Sequence, residues 1–269
     1  MFYFFFESQT KEDPMGIWLT GGPGCSSELA VLYENGPFNI AKNLFLASNL
    51  LYVDQPTGTG FSYSCDNRDL LHNKDGVSND LYDILQAFFT EHPQYVRNDF
   101  YITGESYVGH YIPAFSTRVH RDNKAKESIH INLKGFAIGN RLTDPAIHYK
   151  AYSDYALEMA IIQQSHYKNV NKMLPAYELV IKLCGTHGTT ASMASYVVCN
   201  SVFNKIMSFA GEKTSALGVG EIEFVSCSLT VYQSMLMNWM RNLKVGIPAL
   251  LEDGEKLLTY AGEYDLICN

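Results

Sequence analysis

Ser106 lies in Asp99-Phe100-Tyr101-Ile102-Thr103-Gly104-Glu105-Ser106-Tyr107-Val108-Gly109-His110-Tyr111-Ile112-Pro113. Phe100 to Ile102 are strand formers, Gly104 interrupts them, and a helix is expected from Tyr107 towards Phe115. A serine on a sharp strand-to-helix turn holds its hydroxyl out of the sheet. The first N–H groups of the helix then face whatever it attacks, which is an arrangement for nucleophilic acyl transfer. The G-x-S-x-G pattern has glycine at the position of Val108, and Gly109 comes one residue late. On its own the stretch reads equally well as a glycine-punctuated turn.

A second stretch, Ile17-Trp18-Leu19-Thr20-Gly21-Gly22-Pro23-Gly24-Cys25-Ser26-Ser27, is an apolar strand running into a turn almost without side chains. Backbone N–H groups there can approach a ligand directly, as an oxyanion hole requires. Phosphate binding is the competing use of such a loop, but no Gly-Lys-Ser/Thr follows and G-x-G-x-x-G is absent. A third stretch is Asp54-Gln55-Pro56-Thr57-Gly58-Thr59-Gly60-Phe61-Ser62-Tyr63. Together the three resemble the serine carboxypeptidases, an α/β-hydrolase family, and most closely its plant members. That family carries Trp-Leu-Asn-Gly-Gly-Pro-Gly-Cys-Ser-Ser, Asp-Gln-Pro-x-Gly-Thr-Gly-Phe-Ser-Tyr and Gly-Glu-Ser-Tyr-Ala/Gly-Gly-His-Tyr. The resemblance runs from Met1 to Asn269.

The resemblance implies a serine-type exopeptidase that releases C-terminal residues of peptides through an acyl-enzyme on Ser106. Such a serine needs a base, an acid to orient the base, and an oxyanion hole. Asp265 matches the family's acid in Gly-Glu/Asp-x-Asp-x-Ile/Val-Cys-Asn; read alone it is a turn-forming aspartate. Backbone N–H groups of Gly22 and Tyr107 would form the hole. The family's histidine comes after the acid, whereas all eight histidines of this chain precede Asp265. His110 lies one helical turn beyond Ser106 and reads as structural. The expectation is an incomplete triad and a chain inactive as it stands.

In the family, an asparagine and two glutamates bind the substrate's terminal carboxylate. The matching positions here are Thr20 beside Gly21, with Glu34 and Glu105. Threonine keeps one hydrogen bond but has no amide fork. Two glutamates facing a carboxylate require at least one to be protonated, so binding should favour acid. Read alone, Glu34 is a solvent-facing carboxylate at a helix end. The leading alternative to a peptidase is a non-catalytic remnant that binds peptide C-termini. Third is an acyltransferase of the same family, against which Glu105 argues because that branch usually carries aspartate there.

The elements that must position these residues follow from apolar patterning. Met1 to Leu19 reads as two strands around the polar turn Glu7 to Pro14. Leu29 to Tyr33 reads as one or two helical turns, and Leu50-Leu51-Tyr52-Val53 as a buried parallel strand. Ser78-Asn79-Asp80 is expected to cap a helix with Leu81, Ile84, Leu85, Phe88 and Phe89 at helical spacing, ended by His92-Pro93. Ile131 to Ile138 is a further strand, and Lys256 to Ala261 a last core strand. Helical spacing dominates from Asp144 to about Val225, and Val231 to Leu243 is amphipathic. The expected fold is an α/β-hydrolase core with a mainly parallel sheet and a helical cap: core 1–143, shortened cap 144–228, core again 229–269.

Apolar residues make up 46% of the 269 and the formal net charge is −8 without a basic block, which argues against nucleic acid and anionic membranes as partners. Met1 to Glu7 lacks a basic n-region and a cleavage site, and no stretch approaches the ~20 apolar residues of a membrane span. No cysteine pair has C-x-x-C spacing, so neither metal nor other cofactor is expected. By resemblance Cys25 pairs with Cys227 and Cys184 with Cys199, leaving Cys65 and Cys268 unpaired. Such bridges imply a vacuolar or extracellular setting. Against the family pattern, Asn43 to Asn49 is short, a cysteine-bearing stretch is missing around Gly211 to Leu217, and Arg141 replaces glycine. With both ends cut back, a fragment or altered gene model is expected.

Overall fold

In the computed structural model, the apolar runs form one six-stranded sheet in the order β1-β3-β2-β4-β5-β6. The strands are β1 (Tyr3–Phe6), β2 (Met15–Leu19), β3 (Asn49–Val53), β4 (Phe100–Ser106), β5 (Leu133–Arg141) and β6 (Lys256–Tyr260). The structure describes residues 1–36, 48–70, 73–126, 128–187, 189–210, 227–263 and 265–267. Of the stretches expected to be short, 43–47 of Asn43 to Asn49 and all of 211–217 lie outside them, as does Cys268.

β2 pairs in parallel with β3 and β4, and β5 with β6; β1 alone is shown antiparallel, to β3. The two N-terminal strands are therefore not a hairpin, because β3 lies between them. Met15, Ile17 and Leu19 of β2 and Phe100 and Ile102 of β4 are buried, as a central parallel sheet covered by helices demands. α1 (Lys74–Glu91) and α2 (Val108–Ala125) cover this core. α1 buries Val77, Leu81, Leu85, Phe88 and Phe89 on one side.

Two expectations need correction. α1 is capped by Asn73, whose side chain accepts from the Asp75 and Gly76 N–H groups, both at 3.0 Å. Ser78 lies inside the helix, its hydroxyl donating to the Lys74 carbonyl at 2.6 Å. An asparagine with extended backbone satisfies two orphan donors, so the helix starts upstream of the serine. β6 is an edge strand rather than a core one, with Leu258 62% exposed.

The chain divides into two compact units: Met1–Gly139 with Ser226–Met235 and Leu243–Tyr260, and Asn140–Val225 with Leu236–Asn242 and Ala261–Asn269. The first holds the sheet together with α1, α2 and α8 (Ile247–Glu252). The second is built from α3 (Pro145–Glu158), α4 (Gln164–Asn171), α5 (Leu174–His187) and α6 (Thr189–Ala210). α7 (Leu229–Trp239) contributes to both. In the second unit Asp144 caps α3, accepting from Ala146 N–H at 3.2 Å, with Pro145 in the first turn. Among the described residues no helix is long and apolar enough to cross a membrane.

Candidate active site

Sheet register brings the first two stretches together. Leu19 at the end of β2 stands opposite Gly104 of β4 and Val53 of β3. The residues leaving those strands are therefore neighbours: Thr20 and Gly21, then Glu105 and Ser106, then Asp54 and Gln55. The carboxyl ends of parallel strands are where such folds place ligands. Gly104 has no room for a side chain, since a Cβ there would lie 2.3 Å from the Leu19 carbonyl oxygen. Val108, where glycine was expected, is buried with its Cγ2 turned towards Gly104. The missing side chain at 104 meets the demand for small residues.

Ser106 has φ +70°, a left-handed conformation that costs a non-glycine residue of order 1–3 kcal/mol and persists only where surroundings enforce it. Directly behind it Tyr107 returns to helical angles and α2 begins. Gly21 packs on this turn. A Cβ at Gly21 would come within 2.6 Å of Tyr107 N, 2.7 Å of the Glu105 carbonyl oxygen and 2.9 Å of Ser106 Cβ. Gly22 follows at φ +112°, open to glycine at no steric cost. The backbone of the glycine loop at Gly21 thus lies against the Tyr107 N–H at the start of α2.

The loop is held by a buried carboxylate and a disulfide. Asp54 Oδ1 accepts from Ser26 Oγ at 2.7 Å and from Ser27 N–H at 2.8 Å, while Oδ2 accepts from Phe61 N–H at 2.9 Å. Ser27 Oγ donates to the Val53 carbonyl, and Gln55 Nε2 to the Thr20 carbonyl. Buried charge is tolerated when it accepts several hydrogen bonds in this way. Cys25 is bonded to Cys227, as expected, and Ser228 N–H donates to the Gly24 carbonyl at 2.7 Å. Asp54 had been given no role from sequence. A signal was present: an aspartate followed at short spacing by Gly58, Gly60 and Ser62 suits a carboxylate that collects backbone donors.

Thr20 is 8% exposed, and its hydroxyl has no hydrogen-bond partner among the described residues; the same holds for Gln55 Oε1. Glu34 ends a single π-type turn, Ala30–Glu34. Although the residue is exposed, burial at its carboxyl and the charge of Glu105 push its pKa up from an ordinary 4.5 to about 7. Burial and Glu34 in turn push Tyr52 up to about 12, and its hydroxyl donates to the Asn35 carbonyl at 3.1 Å. The two glutamates expected to share a substrate carboxylate therefore do sense one another.

In the second unit Asp265 is held by its neighbours. Its Oδ2 accepts from Asn140 Nδ2 and its Oδ1 from Ile267 N–H at 2.8 Å, while Asn140 Oδ1 takes the Gly262 N–H at 3.1 Å. Asn140 has φ +36°, which asparagine tolerates better than most residues. Sequence reading had used Gly139-Asn140 only as a strand terminator. His110 is buried, with its ring stacked on Tyr107 at 4.4 Å, which fits a structural role.

The expected pairing of Cys184 with Cys199 falls on a side chain, that of Cys184, outside those described; Cys199 is buried. α5 and α6 form a helical hairpin in which Ser195 Oγ donates to the Val180 carbonyl at 2.7 Å. That register sets Cys199 near Tyr177, whose phenol it influences. Cys65 is exposed and unpaired, as expected.

Comparison with known proteins accords with this geometry. The family described as "Serine carboxypeptidase" matches residues 1–215. "Serine carboxypeptidase 3" of Hordeum vulgare is 60% identical over 308 aligned positions, covering 100% of this chain and 61% of that protein. "Serine carboxypeptidase-like 49" of Arabidopsis thaliana is 61% identical, covering 100% and 60%. The alignments are longer than the 269 residues here, in keeping with internal shortening. The chain spans about 60% of the length of these curated relatives. Among solved structures, Kex1(Δ)p, a prohormone-processing carboxypeptidase from Saccharomyces cerevisiae, superposes with TM-score 0.81 at 24% identity, covering 99% of this chain and 70% of that one. The fold is that of the α/β-hydrolases.

Proposed function

The chain belongs to the serine carboxypeptidase family, and we propose that it supplies the nucleophile, oxyanion donors, acid and carboxylate-binding side chains for releasing C-terminal residues from peptides. Ser106 Oγ attacks the scissile carbonyl carbon. The oxyanion is received by the Gly22 and Tyr107 N–H groups, and the amine product leaves with a proton, giving an acyl-enzyme that water then hydrolyses. Asp265, fixed by Asn140 and the Ile267 N–H, is the acid that orients the base. Glu34 in its protonated form, Glu105, Thr20 and the Gly21 backbone bind the terminal carboxylate. The observation that carries this reading is the left-handed Ser106 between β4 and α2, with Gly21 packed on it too closely for any side chain.

A second reading is a peptide-binding, non-catalytic form. An acyltransferase is third, opposed by Glu105. Peptide C-termini are the partners in the first two readings, and the Cys25–Cys227 bridge supports a vacuolar or extracellular setting. The test compares the 269-residue chain, a chain extended to the length of its relatives, and Ser106→Ala in each on N-blocked dipeptides. Hydrolysis by the extended chain alone, abolished by Ser106→Ala, supports the proposal. Turnover insensitive to Ser106→Ala, or a folded extended chain that is inert, overturns it.

A further inference from the structure

Tyr260 is the last residue of β6, and it stands opposite Gly139 in the parallel β5–β6 register. Its ring does not point away from the sheet edge but lies across Gly139. A Cβ at 139 would be 2.1 Å from the ring Cζ, 2.2 Å from Cε2 and 2.4 Å from the hydroxyl oxygen. β5 separates β6 from β4, and neighbouring strands are about 4.8 Å apart. A tyrosine laid over the intervening strand therefore carries its hydroxyl from the sheet edge towards β4, whose carboxyl end bears Glu105 and Ser106. Only glycine at 139 leaves space for that path.

Three properties make the phenol suited to an anion. It is 42% exposed and so open to a ligand. Its hydroxyl makes no hydrogen bond to any described residue. Burial together with the charges of Glu105 and Glu34 pushes its pKa upward, so it stays a neutral donor where Glu34 titrates. A site that faces a carboxylate with two glutamates is short of donors, and a neutral phenol adds one without adding charge.

We infer that Tyr260, with the space left by Gly139, is a further specificity-determining residue that donates its hydroxyl to the terminal carboxylate of the bound peptide. This rests on the carboxylate-binding reading of Glu34 and Glu105. If Tyr260 merely covered Gly139, its ring would matter and its hydroxyl would not.

The test is calorimetric binding of an N-blocked dipeptide acid and of its C-terminal amide to the 269-residue chain, below the pKa of Glu34. The wild-type chain should prefer the acid. Tyr260→Phe, which keeps the ring, should weaken the acid about tenfold or more, the loss expected for a hydrogen bond to a charged group. Its affinity for the amide should stay within about twofold. Gly139→Ala, which drives the ring aside, should lose the same preference. A wild-type preference that survives in Tyr260→Phe overturns the inference and leaves the carboxylate site standing. Equal wild-type affinity for acid and amide overturns both.

Discussion

Replacing Gly21 by alanine should damage the turn that carries Ser106 more than any change in side-chain chemistry nearby. The new Cβ would sit 2.6 Å from Tyr107 N, 2.7 Å from the Glu105 carbonyl oxygen and 2.9 Å from Ser106 Cβ, against an ordinary contact of 3.4 Å or more. Relieving the tightest contact means moving backbone by about 0.8 Å, and backbone atoms cannot rotate aside as a side chain would. Overpacking of this kind costs about 1–3 kcal/mol, and with two of the contacts made to main chain we expect the upper end. Urea unfolding should register that loss as a midpoint shift of about 1 M for a slope near 3 kcal/mol/M. The displacement should also slow phosphonylation of Ser106 about 100-fold, the scale associated with a 1 Å misplacement. Unfolding within about 0.5 kcal/mol of wild type together with an unchanged labelling rate would refute the reasoning.

Two further outcomes follow from the site's electrostatics and its covalent tether. Glu34 is raised from 4.5 to about 7, so affinity for a dipeptide acid should be full in acid and fall as pH rises through about 7, by up to tenfold per unit; Glu34→Gln should flatten the profile between about pH 6 and 8. The same raised value gives a stability contribution present below about 4.5 and lost as pH rises through about 7, damped by the residue's exposure, which a comparison of urea midpoints at pH 5 and 8 would detect. Cys227→Ser opens a loop of 202 residues and should destabilise the chain by about 5 kcal/mol in the chain-entropy model; an unchanged urea midpoint would show that the bridge contributes nothing.

Much of the core was legible because its signals are local. The strand-to-helix change around Ser106, the apolar run of β3 and the apolar spacing of α1 each depend on residues within one element, and all reappear. What escaped depends on partners far along the chain. Asp54 is a buried acceptor only because β3 ends beside β2, which brings Ser26 and Ser27 to it. Asn140 meets Asp265 across 125 residues. The α1 cap was misplaced because Asn73 and Ser78 are both good capping residues, and only the backbone path decides between them. Lys256 to Tyr260 has the composition of a core strand, yet its exposure follows from lying at the sheet edge.

The central claim is that Ser106 is a nucleophile presented to an oxyanion hole, and covalent labelling tests it most directly. The 269-residue chain would be incubated with a fluorophosphonate and the adduct mapped by peptide mass spectrometry. One adduct is predicted, on Ser106, and abolished by Ser106→Ala. A folded chain that carries no adduct at Ser106, or that is modified at another serine instead, would contradict the account.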